Sequence, residues 1–189
     1  MCREENMKKI LTLICLLCSL ACNAQENKVY FMPVNGMTLA TVTNSHAGYQ
    51  AGYTGGVQFE FFAQKRASLS LGVLYSMQGC RDANKTKINC SMEYINFPVL
   101  ANFYLFEGFA VKAGLQPAVK LRAYAKAGGE ALSMDDINTL DIAIPAGLSY
   151  EISRFVLEAR YNWHVRRVGD GIKAHNSVFQ LTLGYKFEL

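Results

Sequence analysis

Three histidines are the side chains of this chain best suited to acid–base chemistry, and they lie far apart in the sequence. His46 and His175 fall in polar segments, where they could meet Ser45 or Asp170 in an arrangement used for acyl transfer. No spacing in the sequence supports a catalytic group of this kind, so we expect no enzymatic activity. His164 lies on the polar face of a predicted strand, where we expect it to join a hydrogen-bond network.

The carboxylates give only weak support for metal binding. Asp135 and Asp136 are adjacent and could act with Asp141 or Glu130, but the chain has no calcium-loop motif. We therefore expect a solvated acidic loop and no cofactor. The net charge of +4 is small, and no basic run interleaves with aromatic residues as in a nucleic-acid surface.

Residues 1–24 have the pattern of a cleaved signal peptide. Lys8 and Lys9 precede a short apolar run at 10–21, and Ala24 ends a segment that approximates a signal-peptidase site. The apolar run is too short to span a bilayer, for which about 20 residues are needed. The sequence therefore predicts export, with cleavage after Ala24.

Two features of this leader leave alternatives open. Residues 1–6 are interpreted as an over-extended start, with Met7 as the initiator. Lipidation at Cys22 is the rival to simple cleavage, because the residues before Cys22 partly resemble a lipobox. In either case residues 25–189 are predicted to form a single domain.

Cys80 and Cys90 are the cysteines that remain after cleavage of the leader. They flank a polar segment, 81–89, and an even number of cysteines is typical of an oxidising compartment. If the flanking strands form a hairpin, both cysteines lie at its open end. We therefore predict a disulfide between them, with two unpaired cysteines as the alternative.

The elements that must position these residues are indicated by the segment 155–166, FVLEARYNWHVR. Its residues alternate between apolar and polar with a period of two, which indicates a β-strand. One face would carry Phe155, Leu157, Ala159, Tyr161, Trp163 and Val165, and the other Val156, Glu158, Arg160, Asn162, His164 and Arg166. Such a strand separates an apolar surface from a polar one.

The same alternation recurs in eight predicted strands, at about 30–43, 50–62, 67–80, 90–105, 109–123, 139–151, 155–167 and 176–187. Each is long enough to cross a membrane when tilted, which takes about 9–11 residues. Their connections alternate between tight turns (63–66, 106–108, 152–154) and longer polar loops (44–49, 81–89, 124–138, 168–175). This pattern is typical of an eight-stranded, antiparallel, up-and-down outer-membrane barrel.

Aromatic residues concentrate at both ends of these strands, as two membrane interfaces would favour. Near the tight turns are Phe61, Phe62, Phe103, Tyr104, Phe106, Phe109, Tyr150, Phe155, Tyr185 and Phe187. Near the long loops are Tyr49, Tyr53, Tyr75, Tyr94, Tyr124, Tyr161 and Trp163. We interpret the two groups as aromatic belts around a barrel wall.

The polar faces carry charges of both signs that nearly balance. The predicted charge network comprises Glu60, Lys112, Lys120, Arg122, Asp141, Glu151, Glu158, Arg160, His164, Arg166 and Lys186. Opposite charges can pair inside eight strands, because the interior of such a barrel is just wide enough for side chains to fill it. The expected lumen is therefore plugged and polar.

Several short segments, taken in their order and spacing, resemble the PorT-like outer-membrane β-barrel family of Bacteroidetes-type bacteria. They are LGVLYSMQG at 71–79, EYINFPVL at 93–100, VKAG at 111–114, the stretch 141–147, ARY at 159–161 and LGYKF at 183–187. The resemblance implies a small barrel in the outer membrane of a Gram-negative, Bacteroidetes-type cell. The namesake of the family is associated with a secretion system, but no residue here carries that role over.

The predicted function is a structural or interaction role in the cell envelope. The barrel would contact outer-membrane lipid, and its long loops would bind an envelope or secretion-complex protein. A narrow conduit for small solutes or ions is one alternative. A soluble, exported β-barrel that binds a lipophilic ligand is another.

Overall fold

The computed structural model describes residues 28–42, 47–82, 89–127, 130–133, 140–167 and 175–189. The predicted signal peptide, including Cys22, lies outside them. The strands are Val29–Val42 (β1), Ala47–Gln64 (β2), Ala67–Asp82 (β3), Asn89–Asn96 (β4), Val99–Phe106 (β5), Phe109–Ala127 (β6), Glu130–Ser133 (β7), Leu140–Ile152 (β8), Phe155–Arg167 (β9), His175–Tyr185 (β10) and Phe187–Glu188 (β11). Within the described residues, no helix is long and apolar enough to cross a membrane.

These strands form a closed ring of eight. β4 and β5 together make one barrel strand, and β10 and β11 make another. Around the ring, each barrel strand pairs antiparallel with its neighbours in sequence, and β1 closes the ring against β10 and β11. β7 pairs with β6 outside this ring. The predicted eight-stranded, antiparallel, up-and-down barrel is therefore confirmed.

Pro98 explains why the fourth barrel strand is divided. Proline has no N–H to donate to a strand ladder, so regular pairing stops at Phe97 and Pro98. The backbone nevertheless stays in place, because Gly72 N donates to Pro98 O at 3.0 Å and Phe97 N donates to Pro117 O at 2.8 Å. The register against β3 is the same before and after the break.

The two ends of the barrel differ, and we call them the turn end and the loop end. At the turn end, two-residue turns join β2 to β3, β5 to β6 and β8 to β9. Gly108 and Ser153 in these turns have φ values of 78° and 58°, since tight hairpin turns require positive φ. The long connections lie at the loop end. In the connection between β6 and β8, strand β7 pairs with the end of β6 and forms a hairpin.

The outward surface of the barrel is apolar, and much of its interior is polar. In β8, Ile142, Ile144 and Leu148 are between 43% and 48% exposed, whereas Ser149 is 4% exposed. A soluble protein buries its large apolar side chains, so this arrangement is reversed and fits a wall that faces lipid. It sets aside the soluble barrel with an apolar interior.

Two clusters of buried apolar residues depart from the polar pattern, and one of them comprises Met92, Tyr94, Ala118 and Ala123. Met32 and Val34 of β1, Leu74 of β3 and Val156 of β9 are buried and form the other apolar cluster. β3 and β9 lie on opposite sides of the ring, since four of its steps separate them. Apolar side chains therefore help to fill the middle of the lumen.

Candidate functional site

The side chains able to do chemistry are concentrated inside the barrel. The buried polar groups there include Gln58, Glu60, Ser68, Ser70, Asn96, Asn102, Lys112, Gln116, Glu158, Arg160, Asn162, His164, Gln180, Thr182 and Lys186. They belong to strands around the whole ring, because period-2 alternation points every second side chain of each strand inward. The interior is therefore the candidate functional site.

One group of charged contacts lies near the turn end and centres on Lys186. Its Nζ is 2.9 Å from Glu60 Oε2, 2.6 Å from Glu151 Oε2 and 3.1 Å from the hydroxyl of Tyr104. The Tyr104 hydroxyl in turn donates to Glu60 Oε1 at 2.7 Å. We call these four residues the turn-end cluster.

The turn-end cluster bridges the full width of the barrel. Glu60 belongs to β2 and Glu151 to β8, and these strands are opposite each other in the ring of eight. Tyr104 in β5 is likewise opposite the strand that carries Lys186. Because one ammonium group contacts both carboxylates and the hydroxyl, the lumen is crossed at this level by side chains from four barrel strands.

Aromatic rings complete the surroundings of Lys186. Its Nζ lies 5.3 Å from the ring centroid of Tyr30 and 5.5 Å from those of Phe62 and Tyr104. At these distances the ring faces attract a cation, most strongly when water is excluded. The ammonium group is therefore held by two carboxylates, by the hydroxyl of Tyr104 and by the rings of Tyr30 and Phe62.

This arrangement corrects part of the predicted aromatic belts. Tyr104 and Phe62 contribute to the interior rather than to the outer wall, and Tyr94 is 3% exposed inside the barrel. Period-2 alternation along β5 indicates that Tyr104 points inward, a sign that the predicted belts did not take into account. It is two residues from buried Asn102 and next to outward-facing Phe103.

Amide and hydroxyl groups that the sequence does not mark as functional support the Glu60 carboxylate. Ser68 Oγ donates to Glu60 Oε1, and Asn102 Nδ2 lies 3.2 Å from the same oxygen. Asn102 Nδ2 is also 2.9 Å from Ser68 Oγ and 2.7 Å from Ser70 Oγ. Such short polar residues carry no charge signal in the sequence, so only the pairing of β2, β3 and β5 identifies them.

A second group of charges, the central cluster, consists of Lys112, Glu158 and Arg160. Lys112 Nζ lies 2.7 Å from Glu158 Oε2, and Arg160 Nη1 lies 3.3 Å from Glu158 Oε1. The side chains of Lys112 and Arg160 are 1% exposed, and that of Glu158 is 4% exposed. These charges are thus removed from bulk solvent and depend on one another.

The formal charges of the turn-end cluster and the central cluster cancel only when the two clusters are taken together. The central cluster has two cations and one carboxylate, whereas the turn-end cluster has one cation and two carboxylates. An excess positive charge in one therefore faces an excess negative charge in the other. Removal of any one of these six charges leaves an uncompensated ion in the interior, which is costly.

His164 and Asp141 form a separate pair. His164 Nδ1 lies 2.6 Å from Asp141 Oδ2, and Asp141 Oδ1 accepts a hydrogen bond from the N–H of Ile142 at 2.7 Å. The pair resembles the base and orienting acid of a catalytic triad. However, the Nε2 atom of His164 has no hydrogen-bond partner among the described residues, so no nucleophile is placed there.

Arg122 does not lie in the lumen, contrary to the sequence-based expectation. The pairing of β4 with β6 shifts between Glu93, opposite Arg122, and Tyr94, opposite Lys120, so Leu121 is an extra residue. Such a bulge shifts every later side chain by one position. Leu121 and Arg122 are consequently both exposed, and the next side chain that points inward is that of Ala123.

The structure describes only some of the remaining predicted residues. Lys120 is half-buried, and the side chain of Arg166 lies outside the described residues. Ser45, His46 and Asp170 also lie outside them, as does the side chain of His175. The side chains considered for acyl transfer are therefore outside what the structure describes.

The acidic loop and the predicted disulfide have a similar status. Asp135 and Asp136 lie outside the described residues. Among the residues that are described, no group of three or more His, Cys, Asp or Glu side chains could hold a metal ion. The backbone register places Cys80 directly opposite Cys90 across β3 and β4. Their side chains are not described, so the disulfide stays a prediction.

Comparison with known proteins agrees with this geometry. Residues 23–166 match the family model described as an outer membrane protein beta-barrel domain, which covers more than half of the chain. No curated protein matches the sequence.

Solved structures share the fold at low sequence identity. The attachment invasion locus protein Ail of Yersinia pestis, in complex with a heparin analogue, is 15% identical, with a TM-score of 0.56. The Neisserial surface protein A is 14% identical, with a TM-score of 0.55. In each case the match covers 86% of this chain and 100% of the other. This chain thus belongs to the outer membrane protein β-barrel domain family, and it resides in the outer membrane of a Gram-negative bacterium.

Proposed function

We propose that this barrel is a plugged membrane anchor with a structural or interaction role in the cell envelope. The observation that carries the proposal is the contact of Lys186 with Glu60 and Glu151, which joins opposite strands through the lumen. A side-chain bridge across the full width leaves little room for a permanent channel. The plug therefore favours a function performed by the ends of the barrel.

The loop end offers the surface for such a function. The connection between β6 and β8 is extended by the β6–β7 hairpin, in which Tyr124 to Ala127 pair with Glu130 to Ser133. This hairpin continues barrel strand β6 at the loop end. We propose that this hairpin contacts an envelope protein.

The PorT-like assignment is part of this proposal. The matched family model is described only as an outer membrane protein beta-barrel domain, and the PorT-like resemblance depends on the ordered segments between residues 71 and 187. Under this assignment, the partner would belong to an envelope or secretion complex.

A narrow conduit for ions or small solutes is the second candidate. It is favoured by buried polar atoms that have no hydrogen-bond partner among the described residues, including Nε and Nη2 of Arg160 and both polar side-chain atoms of Gln58. Buried groups of this kind normally bond to water. A hydrated interior would conduct only if the contacts of Lys186 also opened.

Channel recording separates these two functions. We expect the purified barrel in planar bilayers to show no steady ionic conductance, because the turn-end cluster crosses the lumen. Lys186→Met, which removes the bridging ammonium group, is the variant expected to raise leakage if it still folds, and Lys28→Met outside the barrel is its control. Steady conductance of the unmodified barrel would reject the plug and support the conduit.

The interaction role is tested by shortening the loop-end hairpin. Replacement of residues 127–133 by a short turn should leave the barrel fold intact, since β6 then keeps its pairing with β4 up to Lys126 and its pairing with β8. We expect the variant to lose the protein cross-links that the full chain forms in native outer membranes. A matched shortening of the 168–174 loop is the control. Unchanged cross-links would contradict a role for the hairpin.

A further inference from the structure

The lipid-facing wall contains one polar residue in an unusual place. Asn35 is exposed and lies midway along β1, where the side chains on the same face are Pro33, Met37 and Leu39. Near the strand middles of the described chain, the other outward-facing residues have neither an amide nor a charge. An amide in this position faces the hydrocarbon layer, where unmet hydrogen bonds are costly.

Asn35 forms a hydrogen bond with a neighbouring strand, but that bond does not satisfy the pair. Its Nδ2 donates to the hydroxyl oxygen of Tyr53 at 3.0 Å on the exposed face. The side chain of Tyr53 passes over Gly55, where an added Cβ would lie 2.5 Å from the tyrosine hydroxyl. The pair still offers the acceptor Oδ1 of Asn35 and the hydroxyl hydrogen of Tyr53 as a donor.

An apolar groove adjoins the pair at the seam where the barrel closes. It has a volume of about 270 Å³ and is lined by Pro33, Val34, Asn35, Phe155, Leu183, Gly184 and Tyr185. Pro33 has a short side chain, and the wall is recessed there between the first and last barrel strands. The recess is large enough for an apolar side chain from another molecule.

We propose that the outward face of β1 and β2, around Asn35 and Tyr53 and beside this groove, binds a second copy of the chain within the membrane. Lipid tails have no hydrogen-bonding groups, so they cannot satisfy the donor and acceptor positions that the pair leaves open among the described residues. A twofold axis beside Asn35 would let each Tyr53 hydroxyl donate to Asn35 of the partner subunit. A patch that has both a donor and an acceptor is self-complementary, as an isologous interface requires. The inference does not depend on the function proposed above.

The dimer can be tested by energy transfer between labelled barrels in phosphatidylcholine vesicles. Transfer should fall as the chain is diluted with lipid, with a midpoint that reports the dimer affinity. Asn35→Leu and Tyr53→Phe should each weaken association by about tenfold or more, since hydrogen bonds between membrane-embedded elements have this magnitude when two are lost. Tyr161→Phe removes the same hydroxyl from the exposed face of β9 and serves as the matched control.

The outcomes separate a dimer contact from a role within one barrel. Both test variants make the lipid-facing wall more apolar, so correct folding is expected and is verified by the heat-dependent gel shift of a closed barrel. Association that weakens in the two variants but not in Tyr161→Phe supports the proposal. Monomers at every lipid ratio would overturn it, and so would equal association of all variants. Lipid tails alone in the groove would give the monomer result.

Discussion

Replacement of Glu158 by leucine is expected to destabilise the folded barrel by about 3–5 kcal/mol, because it leaves two buried cations without a partner. Glu158 is the carboxylate that contacts both Lys112 and Arg160, and all three side chains are nearly inaccessible to solvent. Loss of one negative charge would raise the excess in the central cluster from one positive charge to two. Urea unfolding in detergent micelles, followed by the fluorescence of Trp163, measures the change.

A double variant provides the internal control for this experiment. Glu158→Leu combined with Lys112→Met returns the central cluster to one excess positive charge, so we expect part of the lost stability to be recovered. Glu158→Gln retains the shape and removes the charge, which separates electrostatics from packing. A loss below about 1 kcal/mol in Glu158→Leu, as for a solvent-exposed ion pair, would contradict the account of a closed interior. It would indicate that water screens the central cluster.

The fold could be predicted because every strand of the barrel must present an apolar face to lipid. Period-2 alternation in 155–166 placed Leu157 and Trp163 outward and Glu158 inward, and the structure has the same arrangement. Tight turns at one end and long loops at the other then determined an up-and-down order. Few alternatives survive when each of eight strands must separate lipid from a polar interior.

The details of the interior depended on features that alternation does not contain. The extra residue at Leu121 turns Arg122 outward, and a bulge of one residue leaves no clear mark in the sequence. The contact of Lys186 with Glu60 depends on which strands lie opposite each other and on their stagger. Stagger is a property of the closed ring, so it cannot be obtained from the strand segments one at a time.

The apolar cluster inside the barrel was missed for a related reason. Leu74 and Val156 occupy inward positions, although their residue types suit the lipid-facing side. Strict binary patterning would have counted them as exceptions. In a narrow barrel they fill space between the charged clusters, where an additional polar group would need a partner. The combination of paired charges and apolar filling explains how a polar interior can be closed.

Replacement of Lys186 by methionine is expected to cost about 3–5 kcal/mol as well, because two carboxylates would face each other without a cation. The contacts at 2.9 Å and 2.6 Å to Glu60 and Glu151 would be lost, together with the hydrogen bond to Tyr104. Lys186 also lies between β10 and β11, on the strand that closes the ring against β1. The variant should therefore weaken closure as well as the plug.

The temperature at which the compact gel form of the barrel converts to the unfolded form measures this effect. We expect a clear fall for Lys186→Met and a smaller one for Lys186→Arg, which keeps the positive charge but places a broader group between the rings of Tyr30, Phe62 and Tyr104. Adding Glu60→Gln to Lys186→Met should restore part of the loss, since one unpaired carboxylate is removed. Equal conversion temperatures for Lys186→Met and the unmodified chain would show that the bridge does not stabilise the closed barrel. Restoration by Glu60→Gln would instead establish that uncompensated negative charge, and not lost packing, causes the destabilisation.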